Sequence, residues 1–333
     1  MVRFIMLLIF VPNALLVSAQ EKPVVVASVT IIKDMAEMIA GDELIIKCIM
    51  PTGSDPHLHE PTPRDAKMVV DADLILVNGL TLEGWMTELI ENAGTDANIV
   101  TVTNGIQAIE SEAYANSSDP HAWMDANNGI KYIENIKNSF IELKPSAKEV
   151  FEFNYGVYKQ QLEDLDDYIF QGIASIPEQQ RVLITSHDAF QYYGRRYGIQ
   201  LESILGTSTD AEAQTSDVRR VINVIRANKV PAVFVESTIN PKMLQQIADD
   251  NNVKIGGSLY ADSIGEEGSG ADSYYDMLKH NTDQIVNGLT NSANDKAGAA
   301  SEEIKSPSWM LWIVLALLMV GGFFILSNSL SKN

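Results

Sequence analysis

The sequence is poor in cysteine and in positive charge, and each shortage excludes a kind of protein. Cys48 is the single cysteine among 333 residues, so no internal disulfide can form. It lies in the apolar run 44–50, which predicts a buried strand thiol rather than a ligand or nucleophile. Lysine and arginine number 24 against 44 aspartates and glutamates, a formal net charge of −20. No basic stripe is present to neutralise phosphates, so we expect no binding to nucleic acid.

Two signatures of hydrolases are also absent. The sequence contains no His-Glu-x-x-His motif, which places two zinc ligands and a base on one helix. It also lacks the Gly-x-Ser-x-Gly turn that exposes a nucleophilic serine. We therefore do not expect an enzyme, although a zinc hydrolase without these motifs remains the rival hypothesis.

Both ends of the chain carry apolar segments. Residues 1–19 combine an early basic residue, an apolar stretch and small residues, which predicts a cleaved signal peptide, with an uncleaved anchor as the alternative. Residues 308–328 contain a long run without charge, which predicts a transmembrane helix rather than a buried core helix. Residues 292–307 are a predicted polar linker. We therefore expect an exported protein, periplasmic or on the cell surface, anchored by its C-terminal helix.

Between these ends, short apolar runs alternate with helical patterns, which indicates α/β units around parallel sheets. We predict an N-terminal α/β lobe at 20–144 and a C-terminal α/β lobe at 178–291. Residues 145–177 form one long helical pattern that opens with a proline, suited to a first turn. The predicted fold is α/β: two lobes with parallel sheets joined by a long backbone helix, plus the C-terminal transmembrane helix. A single helical connection argues against large hinge closure.

Three histidines stand in loops beside the predicted strands. His57 and His121 each end an Asp-Pro-His phrase, in which proline restricts the backbone and presents the histidine on a stiff turn. His187 directly follows the apolar run 182–186, and Asp262 comes just past the last predicted strand. Ligands of open α/β sheets bind outside the carboxyl ends of the strands. We therefore expect these four side chains to meet in one cleft between the lobes.

The chemistry of this set favours a divalent transition metal. Three neutral imidazoles and one carboxylate suit Zn²⁺ and can also hold Mn²⁺. A single loop histidine is more often solvated or hydrogen-bonded than a ligand. The repeated Asp-Pro-His phrase and the positions at strand ends favour a metal site for the set as a whole.

Other polar residues near these loops have plainer interpretations. His59 lies two residues beyond the first of the three histidines, and alternate side chains of an extended loop point in opposite directions, so it is not expected to be a ligand. His280 lies within a predicted helix and is expected to be structural or exposed. Glu236 ends a predicted strand, where it either accepts the second N–H of a liganding imidazole or caps a helix. For Asp125 and Asp188 the same two interpretations stand, an acceptor for a liganding imidazole or a helix cap.

Five segments within residues 22–291 resemble the TroA-like and ZnuA-like metal receptors, the cluster A-I solute-binding proteins. They are Gly-Ser-Asp-Pro-His-Leu at 53–58, Ala-Asp-Leu-Ile-Leu-Val-Asn-Gly-Leu-Thr-Leu-Glu-Gly-Trp at 72–85, Asp-Pro-His-Ala-Trp-Met-Asp at 119–125, Ser-His-Asp-Ala-Phe-Gln-Tyr-Tyr at 186–193 and Ile-Gly-Gly-Ser-Leu-Tyr-Ala-Asp-Ser at 255–263. The resemblance implies a rigid two-lobed receptor with a metal held between its lobes by His57, His121, His187 and Asp262. It also implies Zn²⁺ or Mn²⁺ as transported cargo, and an ABC permease with its ATPase as partners. We expect the receptor to be a monomer.

The sequence departs from that family pattern at two places. Segment 109–118 is short and contains no histidine, whereas many zinc-specialised relatives carry a histidine-rich acidic loop. The second departure is the predicted C-terminal transmembrane helix, since relatives are commonly anchored by a lipid or freely soluble. The third ligand position is often glutamate in manganese receptors and is His187 here, so zinc is favoured and manganese comes next. A metal-dependent adhesin or scaffold is the alternative to a receptor.

Overall fold

The computed structural model describes residues 21–110 and 117–301. Within them, the chain opens with a lobe of four strands and three helices before a fourth helix leads out of it. In chain order they are β1 (Val24–Ala27), α1 (Thr30–Ala40), β2 (Ile45–Cys48), α2 (Pro63–Val70), β3 (Leu74–Val77), α3 (Gly84–Ala93), β4 (Asn98–Thr101) and α4 (Ala126–Leu143). The strands form one parallel sheet in the order β2-β1-β3-β4. Parallel pairing places all their carboxyl ends at one edge of the sheet.

Local sequence explains where two of these helices begin. Thr62 precedes α2 and forms a capping box with Asp65, while Pro63 occupies the first helical turn. Asp125 precedes α4 and accepts a hydrogen bond from the Asn127 N–H at 2.8 Å. Each cap satisfies main-chain donors that the first helical turn leaves free. Asp125 is therefore a helix cap.

A long helix, α5 (Lys148–Ser175), leads from the first lobe to the second. It buries one stripe of side chains at helical spacing: Phe151, Tyr158, Leu162, Leu165, Ile169 and Ile173. This stripe packs against α1 and α4 and against the last helix of the second lobe. Within the connection predicted at 145–177, α5 is a continuous helix that contacts both lobes, preceded by a 3₁₀ turn at Pro145–Ala147.

The second lobe contains four further strands and four helices in the described part of the chain. They are β5 (Val182–Thr185), α6 (Gln191–Tyr197), β6 (Gln200–Ser203), α7 (Thr215–Asn228), β7 (Ala232–Glu236), α8 (Lys242–Asn251), β8 (Lys254–Leu259) and α9 (Tyr274–Ser301). β5 pairs with β6 and β7 pairs with β8, both in parallel. β5 also contacts β7, and Glu236 at the end of β7 accepts the main-chain N–H of Ser186 just after β5, so the carboxyl ends of the four strands lie on the same side. The prediction of two α/β lobes with parallel sheets is confirmed.

The two lobes share one hydrophobic core. Buried side chains of the first sheet, the long helix and the second lobe belong to it, among them Val25, Phe140, Leu165, Tyr193 and Phe234. Each such side chain contributes about 1.5–3 kcal/mol of burial energy relative to an exposed position. Moving one lobe as a rigid body would open this core, so the interface between the lobes is held in a defined geometry.

The predicted C-terminal membrane anchor requires correction. A helix needs about 20 consecutive apolar residues to cross the hydrocarbon core of a bilayer. In 21–110 and 117–301, no helix combines the length and the apolar character that this requires. The segment 308–328 and the signal peptide predicted at 1–19 lie outside the described residues. The prediction of a transmembrane helix was wrong, and the described part of the chain consists of the two lobes and α5.

The predicted linker at 292–307 also differs from the structure over the part that can be compared. α9 continues to Ser301, so the main chain of 292–301 is helical rather than an irregular tether. Alanines and other residues compatible with a helix extend α9 there. Residues 302–307 lie outside the described part of the chain.

Candidate metal centre

The structure brings the four predicted metal-binding side chains together. His57 lies in a one-turn 3₁₀ helix after β2, and His121 precedes another such turn. His187 follows β5, and Asp262 follows β8. One nitrogen or oxygen from each side chain lies within 4.8 Å of those from the others. Four separate loops, two from each lobe, therefore converge on one point.

The two Asp-Pro-His phrases form similar turns. Asp55 accepts the His57 N–H at 2.9 Å, and Asp119 accepts the His121 N–H at 2.9 Å. Asp119 additionally lies 2.7 Å from Nδ1 of His121 through the same oxygen. The aspartate therefore fixes the main chain of each histidine, and Asp119 also orients an imidazole ring.

His187 is held by the buried carboxylate of Glu236, which ends β7. Oε1 of Glu236 accepts the main-chain N–H groups of Ser186 and His187 at 2.7 and 3.0 Å. The other oxygen contacts Nδ1 of His187. Contact through Nδ1 directs Nε2 of this ring toward the centre of the cluster.

Asp262 presents its two oxygens to different histidines. Oδ1 lies 3.2 Å from Nε2 of His121 and 3.9 Å from Nε2 of His57. Oδ2 lies 3.5 Å from Nε2 of His187 and accepts a hydrogen bond from the Thr238 hydroxyl at 3.2 Å. The carboxylate therefore stands across from all three rings.

Three of the separations are close to those of a small tetrahedral site, whereas Oδ1 of Asp262 lies 3.9 Å from Nε2 of His57 and the whole set spreads over up to 4.8 Å. Ligand atoms at about 2.0–2.1 Å from a tetrahedral Zn²⁺ are about 3.3–3.4 Å from one another. Nε2 of His57 lies 3.3 Å from Nε2 of His121, and the distances from Asp262 to His121 and His187 bracket the same value. Nε2 of His187 and Oδ1 of Asp262 are buried and make no well-formed hydrogen bond among the described residues, although each lies near an oppositely charged group of the cluster. An ion placed between the rings and the carboxylate would engage both atoms directly.

The electrostatics of the three histidines differ. Burial lowers the pKa of His57 to about 4 despite the nearby Asp262. Burial would also lower the pKa of His121, but Asp119 and Asp262 outweigh it and raise that pKa to about 9. Burial is likewise outweighed at His187, where Glu236 and Asp262 raise the pKa well above 6.5. At neutral pH the metal-free cluster therefore carries two imidazolium groups beside its carboxylates.

A divalent cation can replace those two protons without changing the net charge of the cluster. Burial would raise the pKa of Asp262, but the two imidazolium groups hold it well below its usual range. The carboxylate is thus ionised with or without a metal. Because buried charge is tolerated only when it is compensated, this exchange suits a metal that binds and leaves reversibly.

The remaining sequence candidates lie outside the four-residue cluster. Nε2 of His59 lies 3.3 Å from Asp65, and its ring packs against Trp85. His280 on α9 contacts the Ser258 carbonyl through Nε2, at 3.2 Å. Both histidines therefore contact residues outside the four-residue cluster.

Two carboxylates stand behind the histidines, and the sequence indicated only one of them. Of the two interpretations left open for Glu236, its contact with Nδ1 of His187 supports the first, a partner of a candidate metal-binding imidazole. Asp188 instead accepts the side-chain amide of Gln191. Asp119 was missed as a partner of the His121 ring, although it lies in the same Asp-Pro-His phrase. The Asp-Pro-His phrase alone does not predict that its aspartate contacts the histidine ring. In the first phrase, Asp55 makes no contact with a histidine ring among the described residues.

Comparisons with known proteins place these residues in context. The model of the family "Zinc-uptake complex component A periplasmic" (ZnuA) matches residues 25–288. The chain is 38% identical over 266 residues to the manganese-binding lipoprotein MntA of Halalkalibacterium halodurans, covering 80% of this chain and 88% of the relative. It is 35% identical over 280 residues to the manganese ABC transporter substrate-binding lipoprotein PsaA of Streptococcus pneumoniae, covering 82% and 90%.

Solved structures show the same architecture. The periplasmic zinc-binding protein TroA of Treponema pallidum matches with a TM-score of 0.77 and 34% identity, covering 81% of this chain and 99% of TroA. A manganese-bound periplasmic metal-binding protein of Candidatus Liberibacter asiaticus matches with a TM-score of 0.74 and 31% identity, covering 80% and 100%. The similarity therefore extends over both lobes.

Proposed function

The chain belongs to the zinc-uptake complex component A family, the ZnuA/TroA family of metal-binding ABC transporter substrate-binding proteins, and we propose that it captures a divalent transition metal with His57, His121, His187 and Asp262. The observation that carries this proposal is the convergence of these four side chains within 4.8 Å at the meeting of the two lobes. The captured ion is the cargo of an ABC importer, whose permease and ATPase are the partners.

Zn²⁺ is the proposed cargo, and Mn²⁺ is the second candidate. The names of relatives indicate both metals, since MntA and PsaA are named for manganese and TroA for zinc. The ligand set supports zinc, because three imidazoles are softer donors than carboxylates and Zn²⁺ binds such sites more tightly than Mn²⁺. Three of the donor separations, at 3.2, 3.3 and 3.5 Å, are close to those around a tetrahedral Zn²⁺ and support the same choice.

An extracytoplasmic location is part of the proposal. The matching family is described as periplasmic, and two of the relatives are named as lipoproteins. A receptor at that location would receive metal from outside and pass it inward. Four protein ligands would leave little room for a reactive water on the metal, which supports a receptor over a zinc hydrolase.

Metal titration of the protein tests this proposal. The protein is stripped of metal and titrated separately with Zn²⁺ and Mn²⁺ by calorimetry, alongside His121→Ala and a control, His280→Ala. We expect one ion per chain for the wild type and the control, tighter for Zn²⁺, and no stoichiometric binding for His121→Ala. Absence of stoichiometric binding to the wild type would refute the metal site, and tighter binding of Mn²⁺ would refute the choice of zinc.

Chelation distinguishes a receptor from an adhesin or scaffold with a structural metal. The shared core does not include the metal, so removal with a chelator should leave the protein folded and only lower its melting temperature. Circular dichroism of the stripped protein is the measurement. A stripped protein that is unfolded at room temperature would favour the structural role.

A further inference from the structure

His57 is held differently from the other three side chains of the cluster. Nδ1 of His121 and of His187 each meets a buried carboxylate, from Asp119 and Glu236. Among the described residues, no side chain holds Nδ1 of His57. Its side chain is 6% exposed, whereas those of His121 and His187 are 0% exposed. The orientation of His57 therefore depends on how its main chain is fixed.

Asp55 fixes that main chain and reaches the other lobe at the same time. Its Oδ1 accepts the His57 N–H at 2.9 Å, and its Oδ2 accepts the hydroxyl of Thr209 at 2.6 Å. Thr209 lies between β6 and α7, in the second lobe. Hydrogen bonds to an ionised acceptor are the stronger kind. One carboxylate thus joins the turn that carries His57 to the opposite lobe.

A second hydrogen bond ties the start of the same loop to the second lobe. The Gly53 N–H donates to the Ser263 hydroxyl at 2.8 Å, and Ser263 directly follows Asp262. The loop from Gly53 to His57 is therefore attached to the second lobe near both of its ends. Trp85 supports it from the first lobe by donating its indole N–H to the Pro56 carbonyl at 3.0 Å.

We propose that Thr209 is a positioning residue for the metal site. Its hydroxyl orients Asp55, and Asp55 orients the main chain of His57, so contact between the lobes keeps this ligand in place. Loss of the Thr209 contact would free the most exposed ligand first and let the metal leave faster. This inference rests on the proposed function, because it concerns the same metal site.

The test is the rate of Zn²⁺ release from the full-length protein into an excess of chelator. Thr209→Val keeps the shape and removes the hydroxyl, whereas Thr209→Ser keeps the hydroxyl. Thr290→Val is the control, since its hydroxyl bonds only to the Val286 carbonyl on α9 among the described residues. We expect Thr209→Val to release Zn²⁺ about tenfold faster, equivalent to about 1.4 kcal/mol, with release from Thr209→Ser and from the control within about twofold of wild type.

An Asp55→Ala background shows whether Thr209 acts through Asp55. In that background, adding Thr209→Val should change the release rate by less than about twofold, because the acceptor is already gone. Three results would overturn the proposal: Thr209→Val releasing at the wild-type rate, Thr209→Ser releasing as fast as Thr209→Val, or Thr209→Val having its full effect without Asp55. If wild-type protein holds no Zn²⁺, the proposed function itself fails, which is a separate outcome.

Discussion

Changing Glu236 to glutamine should weaken metal binding while the protein stays folded. Oε1 of the glutamine can still accept the N–H groups of Ser186 and His187, which Glu236 accepts at 2.7 and 3.0 Å. The new amide nitrogen would then face Nδ1 of His187, where a carboxylate oxygen now stands. An amide donates to Nδ1 and so moves the ring proton to Nε2. Nε2 is the atom that faces Asp262 and the proposed metal, so the ring loses its ligand lone pair.

The expected size of this effect follows from the role of Glu236. Replacing a partner behind a metal-binding histidine typically costs about 10–100-fold in metal affinity. That loss corresponds to about 1.4–2.8 kcal/mol. We expect Glu236→Gln to lie in the upper half of this range, because Glu236 is buried and the wrong tautomer cannot be relieved by solvent.

Competition titration against a chelator of known affinity measures the change for Zn²⁺. Glu202→Gln is the matched control, since Glu202 pairs with Arg220 in the same lobe and lies outside the four-residue cluster. The control should bind Zn²⁺ within about twofold of wild type. Metal-free Glu236→Gln should remain folded but melt below the wild-type temperature, because the buried His187 loses a compensating carboxylate. Wild-type affinity in Glu236→Gln would refute the tautomer argument, and a metal-free variant that is unfolded at room temperature would show a structural role instead.

Two further predictions concern pH and the core. In the metal-free protein the pKa of His121 is raised to about 9 and that of His187 well above 6.5, so both rings are protonated at neutral pH. Because a metal must displace both protons, the affinity for Zn²⁺ should rise with pH between pH 6 and 8, with a logarithmic slope of about two. Calorimetry in buffers of different ionisation enthalpy counts the released protons, and a slope near zero would contradict imidazole binding. Leu162→Ala on α5 should cost about 2–5 kcal/mol of unfolding free energy, because Leu162 is fully buried. Val157→Ala on the exposed face of the same helix should cost about 0.5 kcal/mol or less in the same urea titration.

The order of strands and helices could be predicted from local sequence. Apolar runs such as 182–185 became strands, and helical patterns such as Ala126–Leu143 became helices. These signals are local, since they depend on periodicity and on caps that lie within a few residues of one another. The positions of His187 and Asp262 just after strands were predictable for the same reason. That placement, rather than the histidines alone, indicated one shared cleft.

Local reasoning was weaker for the partners of the metal site. The Asp-Pro-His phrase is present twice, yet Asp119 contacts a histidine ring and Asp55 contacts Thr209 of the other lobe. The difference depends on which residues the second lobe brings near each phrase. Apolar composition at 308–328 similarly suggested a spanning helix, which no helix of the described chain provides.

The sequence by itself determined the α/β units, the long connection between them and the donor types of the proposed site. Those properties follow from side-chain chemistry and from periodicity along a short stretch of chain. Only the tertiary structure decided how far apart the donors stand, which carboxylate supports which ring and how the protons are distributed. Most of these properties depend on distances and burial between residues far apart in the sequence, such as His57 and His121, 64 positions apart, and His187 and Glu236, 49 positions apart. Packing of the two lobes around one core sets such distances, because local preferences do not specify them.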